Sequence, residues 1–179
     1  MRLVRRRMGA AALSVVTALV LLFSLSGPFA HADGRLVFGK PPLFSYVPPT
    51  GWKLIEYPGL KYKPAVGPPV GGFPPSIIVT AEKFSQPLSA FVNNSMANMK
   101  KNFPTFKQTD RREFAVGDKS GCVRLASERK QGKRELRQVF YFINTGAVKF
   151  IVTCTRSAKE GEHLDKDFDE AMKTFRAGK

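Results

Sequence analysis

The residues able to do chemistry in this chain are few. His163 is the one histidine beyond the N-terminal segment, and it stands in a polar stretch beside Glu160 and Glu162. Acid–base or nucleophilic catalysis needs an imidazole held by packing next to a hydroxyl or thiol; this setting offers a solvated surface loop instead. There is no nucleophile elbow, no phosphate-cradling glycine loop and no HExxH run. No catalytic residue is expected, and the chain reads as a binding protein, not an enzyme. Asp165, Asp167, Asp169 and Glu170 alternate somewhat like the carboxylates of a cation loop. A calcium loop of the EF-hand type also needs a central glycine and a distal bidentate glutamate. Phe168 and Met172 instead mark a helix start near Asp167, whose positive end the acids would complement. Neither a metal nor a cofactor is expected.

Binding chemistry is better represented. Arg124, Arg129, Lys130, Lys133, Arg134 and Arg137 crowd one hairpin and its tip, with Arg111 and Arg112 close by. Such a cluster is either a charged rim that protects a sheet edge or a patch that docks on anions. Tyr57, Lys61, Tyr62, Lys63 and Phe73 interleave with the prolines and glycines of residues 58–75. Proline lowers the entropy a loop loses on binding and tyrosine suits interfaces, so this segment is a second candidate contact; the plain alternative is a connector pinned down by its aromatics. The formal net charge is +15, which favours anionic partners. The expected partner is a membrane-associated protein complex or an anionic envelope surface, with peripheral membrane contact. Nucleic acid ranks last, because neither exposed stacking aromatics nor a recognition helix accompanies the charge. The alternative is a carrier of small apolar ligands, with a pocket between the sheet, Trp52 and the 58–75 loop. A monomer is expected.

The elements that must position these residues begin with an address. Arg2, Arg5, Arg6 and Arg7 precede an uncharged apolar run from Gly9 to Leu25; Ser26-Gly27-Pro28 breaks it and Ala30-His31-Ala32 follows. That order is the pattern of a cleavable secretory signal. Met1–Ala32 is therefore expected to be removed, and Asp33–Lys179 to work as one domain in the periplasm or outside the cell. The four arginines of the signal account for four of the fifteen charges, leaving +11. An oxidising compartment permits a bridge between Cys122 and Cys154. The alternation places Cys154 with Val148, Phe150 and Val152, and Cys122 opposite the face of Val123 and Leu125. Opposite sheet faces, or an intervening strand, exceed the reach of a disulfide. Two buried thiols are the alternative to the bridge.

Phe44–Val47 and Trp52–Tyr57 read as a hairpin around Thr50-Gly51, and 58–75 as a long loop. Ser76–Phe84 reads as a strand. A helix follows, with Ser85 as its N-cap and its stripe at Leu88, Phe91, Val92, Met96, Met99 and Phe103. Runs at 106–109, 112–116, 122–128, 136–143 and 148–155 are strands, the first two forming one bent or bulged strand, and the short turns between them imply antiparallel pairing. The last helix carries Phe168, Met172 and Phe175. The fold class is α+β: a single twisted antiparallel sheet with flanking helices.

In order and spacing these pieces resemble the PsbP-like family, named for the extrinsic protein of photosystem II and sharing its fold with a yeast nuclear-import factor that binds Ran. The resemblance lies in Phe44-Ser45-Tyr46-Val47-Pro48-Pro49-Thr50-Gly51-Trp52; in Ile77-Ile78-Val79 leading through Ser85-Gln86-Pro87-Leu88 to Phe91; in Gly121–Ala126, Gln138–Phe142 and Lys149–Thr155; and in the helix ending at Phe175. It implies an accessory binding module. It brings no metal-ligand motif.

Overall fold

The computed structural model describes residues 44–117 and 119–178 together with a two-residue strand at 30–31. Most of the expected secretory segment lies outside the described residues. In chain order the elements are β1 (Ala30–His31), β2 (Phe44–Ser45), β3 (Lys53–Leu54), β4 (Ala65–Val66), β5 (Ser76–Lys83), α1 (Leu88–Asn102), β6 (Lys107–Val116), β7 (Lys119–Gln131), β8 (Arg134–Asn144), β9 (Val148–Ser157), α2 (Leu164–Lys173) and β10 (Arg176–Ala177). One antiparallel sheet runs β1-β3-β4-β5-β9-β8-β7-β6, and β2 with β10 forms a separate ribbon. The expected α+β class holds. No helix among the described residues is long and apolar enough to cross a membrane.

The central strand β8 explains the layering. Val139–Ile143 is buried at every position, the pattern of a strand covered on both faces. On one face Val139, Tyr141, Phe150, Val152 and Cys154 pack with Phe168 and Met172 of α2 and with Phe44, Tyr46, Trp52 and Phe175. On the other, Leu125, Phe140 and Phe142 pack with Phe91, Val92, Met96 and Met99 of α1. The two helices thus lie on opposite faces, each held by the apolar stripe of its own sequence.

One row on the α1 face is polar. Ser127, Gln138, Thr155 and Ser76 are direct cross-strand neighbours on β7, β8, β9 and β5, and all four are buried. Gln138 Nε2 donates to Thr155 Oγ1 at 3.2 Å, and its Oε1 accepts from Arg129 Nε at 2.8 Å.

Several local expectations need correction. The first hairpin does not form: β2 pairs with β10, while β3 joins the main sheet between β1 and β4. The turn itself is present, with Trp52 N donating to Pro49 O at 3.1 Å and Gly51 at a φ of 80°. Pro48 and Pro49 lack the N–H groups a ladder needs, so the chain crosses between sheets there. The 58–75 segment is not all loop. Ala65–Val66 forms β4 between β3 and β5, and Val70 and Phe73 exchange backbone hydrogen bonds at 3.0 Å. α1 begins at Leu88 behind Pro87, without a side-chain cap from Ser85. α2 begins at Leu164, ahead of Asp167, also without a side-chain cap. The 106–109 and 112–116 runs do merge into β6, with a register shift between Gln108 and Asp110.

Candidate binding surfaces

The hairpin arginines divide by sheet face. Cross-strand neighbours point the same way, so Arg112, Arg124, Arg137 and Arg156 all project toward α2. α2 answers with Asp165 and Asp169, one turn apart. Asp169 accepts from Arg124 Nε at 2.7 Å, from Arg112 at 3.2 Å and from the Tyr141 hydroxyl. Asp165 accepts from Arg156 Nε at 2.6 Å and Arg137 Nε at 2.7 Å. Asp110 and Glu128 add bonds to Arg124 and Arg137 at 3.0 and 3.4 Å. Burial works against ionising Asp165, but its hydrogen bonds from Arg156 and Arg137 outweigh that, and the carboxyl sits below its ordinary range. Burial likewise opposes the charge on Arg124, and the Asp169 contact more than restores it.

These arginines are thus a clamp between helix and sheet. Arg124 and Arg156 are 4% exposed and Arg137 is 18% exposed; a partner would have to break the clamp to reach them. Arg129 is also withdrawn. It lies on the α1 face, 4% exposed, bonded to Gln138 and with its guanidinium 4.6 Å from the Phe103 ring centre. The docking role expected for Arg124, Arg129 and Arg137 is therefore corrected. Of the acids expected at the positive end of the last helix, Asp165 and Asp167 do stand in the first turn of α2; Asp165 and Asp169 in addition face the sheet.

What remains of the basic hairpin is its tip. Lys130, Lys133 and Arg134 are exposed, with Arg134 stacked 6.0 Å from the Phe73 ring centre. The topology brings further cations to the same end of the sheet. Thr105 Oγ1 accepts from Lys130 N at 2.9 Å, which ties the end of α1, with Lys100 and Lys101, and the start of β6, with Lys107, beside the tip. Lys159 joins through Glu135 at 3.6 Å. Glu128 and Glu135 are the acids interspersed here.

The loop residues separate in the same way. Tyr62 is 5% exposed and meets Phe44 edge-on at 4.8 Å; Phe73 is 8% exposed. Both are core, drawn in because β4 stitches their segment to the sheet, and neither is available as a contact. Tyr57 is half-buried, and Lys61 and Lys63 are exposed, Lys63 in an ion pair with Glu56 at 2.6 Å.

The same segment builds a groove. Its prolines Pro68 and Pro75 and Val70 form one wall, Val47–Thr50 another and α2 the third, around a volume of about 590 Å³ with Trp52 in the lining. The indole is 3% exposed and meets Phe168 edge-on at 6.0 Å. Gly67 lets the loop lie flat against it: a Cβ there would stand 2.6 Å from the indole and 2.9 Å from Pro75. Thr174 Oγ1 accepts from Val47 N at 2.8 Å and donates to Ala171 O at 2.6 Å, fastening the chain at Val47 to the end of α2. His163 lines the rim, exposed, and among the described residues its imidazole makes no hydrogen bond. The ligand pocket expected between Trp52, the loop and the sheet is thus bounded by α2 where the sheet was expected.

Cys122 and Cys154 are both free and buried. They share the α2 face, contrary to the alternation argument, but β8 runs between their strands. Next-nearest strands stand roughly 9.5 Å apart, beyond the Cα window of a disulfide. Burial, with a smaller contribution from Asp169, pushes the Cys122 thiol up to about 12; burial raises Cys154 as well.

The fold is shared with solved structures. LpqN, involved in cell envelope biogenesis of Mycobacterium tuberculosis, matches with a TM-score of 0.59 at 16% identity, covering 85% of this chain and 90% of its own. A Pseudomonas aeruginosa protein of unknown function matches with a TM-score of 0.55 at 17% identity, covering 72% of this chain and 98% of its own. At such identities the likeness is one of architecture. No model of a known protein family matches the chain, and no curated protein does.

The sequence reading missed the clamp. Its signal was present: Asp165 and Asp169 share a helix face with Phe168 and Met172, and Arg124 alternates in phase with core positions Cys122 and Ala126.

Proposed function

We propose that this chain is an exported, non-catalytic binding module. It docks through the cationic end of its sheet onto a membrane-associated protein complex or an anionic envelope surface. The observation that carries the reading is the division of the basic residues. Arg124, Arg137 and Arg156 are consumed inside the molecule, whereas Lys100, Lys101, Lys107, Lys130, Lys133, Arg134 and Lys159 gather, exposed, at one end. Cations grouped on one rim steer and hold anionic partners in a way that dispersed ones do not. The PsbP-like resemblance, with its accessory modules, supports the same reading, as does a fold shared with a protein of envelope biogenesis.

The test is retention on phosphatidylglycerol vesicles against phosphatidylcholine vesicles. Retention on the anionic vesicles should fall steeply as salt rises, and Lys130→Ser, Lys133→Ser and Arg134→Ser together should remove most of it. Salt-insensitive retention, or retention that survives the triple substitution, overturns the reading. A second reading, a small-ligand carrier, is favoured by the groove beside Trp52. Its volume lies within the range of ordinary ligand sites, about 300–1,000 Å³.

A further inference from the structure

The groove has a charge character opposite to that of the chain, and that contrast names the chemistry of an occupant; the step rests on reading the groove as a ligand site. The chain carries 29 lysines and arginines, yet none is among the groove's described lining residues, whose ionisable members are His163, Asp167 and Glu170. Its side-chain donors are the Thr50 hydroxyl, the Trp52 indole and the His163 imidazole; the rest of its polar lining accepts or is already engaged. Pro48, Pro49, Pro68 and Pro75 bring no N–H, carboxylates only accept, and the Thr174 hydroxyl already gives its proton to Ala171 O. Glu170 is engaged by Lys173 at 2.7 Å. Asp167 makes no ion pair among the described residues and lies half-buried on the groove side of α2.

The charge left for an occupant to meet is therefore that of Asp167, and its apolar surface must suit Trp52, Val70 and Leu164. We propose that the groove binds an amphiphile with an aliphatic body and a primary ammonium head, the head at Asp167 and the body along Trp52. Fatty acids and other anionic amphiphiles are disfavoured, because burying a carboxylate beside Asp167 sets like charges together. The groove and the cationic rim thus select partners of opposite sign.

Trp52 is the sole tryptophan of the sequence, so its emission reports on the groove directly. The probes are octylamine, 1-octanol and octanoate below micellar concentration, at about pH 8, where the first is a cation and the last an anion. Octylamine should bind about fivefold more tightly than octanol, the upper range for a partly exposed ion pair, and octanoate most weakly. Asp167→Asn should erase the preference for octylamine, and Asp167→Lys should reverse it toward octanoate, with thermal melts confirming that both variants fold. Octanoate binding to the unaltered protein as tightly as octylamine overturns the ammonium assignment and leaves the groove reading standing. So does an octylamine preference that survives Asp167→Asn. No saturable response of Trp52 to any of the three probes overturns both.

Discussion

Arg124 sits 4% exposed on a core face, a position tolerable for a guanidinium only while Asp169 and Asp110 hold it. Removing Asp169 leaves Arg124 Nε and the Tyr141 hydroxyl without their acceptor, with Asp110 alone still hydrogen-bonded to that guanidinium. Asp169→Ala should cost about 2–3 kcal/mol in urea melts, as for buried groups stripped of a charged partner; a loss below about 0.5 kcal/mol, the level of an ordinary surface change, would contradict the clamp. Asp165 makes the clamp sensitive to acid. Its carboxyl is held below the ordinary range, so as pH falls the unfolded chain takes up the proton first. The contribution is full above about pH 4, the unfolded value, and drains away on the descent through the native one. Melts followed down through that window should show an acid limb that flattens in Asp165→Asn. The cysteines make a simpler prediction: a thiol reagent should leave the native protein untouched at neutral pH and modify Cys122 and Cys154 together on unfolding, because both are buried with raised pKa values. The charged types of these residues were plain in the sequence. Their inward direction was not, because alternation shows which residues share a face and leaves open which face meets a helix.

At the scale of elements, β5 through β9 were legible because each run is long enough for its period to declare itself; that β8 is covered on both faces emerged with the packing of the two helices. Strands of two residues carry no period. β2, β3 and β4 are of that kind, and their partners follow from the packing of Phe44, Tyr62 and Trp52 on the α2 face, a long-range fact that no local window holds. The groove depends on one of these short pieces. Gly67 follows β4 and lies against the indole, so Gly67→Ala should force Trp52 and Pro75 apart. Overpacking of this kind costs about 1–3 kcal/mol, and a shifted Trp52 emission maximum in the folded variant would locate the strain. An unchanged melt and spectrum would mean that the loop does not rest on the ring.

For the whole molecule, charge totals pointed to anionic partners, and folding then divided those charges between a spent interior set and an exposed rim. The rim and the groove use different residues. Neutralising Lys130 and Lys133, neither of which lines the groove, should therefore leave octylamine affinity within about twofold. Vesicle retention should likewise survive Asp167→Asn. Loss of both functions in either variant would show one surface where two are argued.

The polar row crossing β7, β8, β9 and β5 bears on how the chain finds its alignment. A sheet covered on both faces punishes a slip of one residue weakly at β8, since either side of that strand is greasy enough to bury. Gln138 supplies the missing discrimination: its amide meets Arg129 on one side and Thr155 on the other only when three strands stand in step. Any other alignment strands a desolvated amide among phenylalanines, so the row works as a key cut for a single lock.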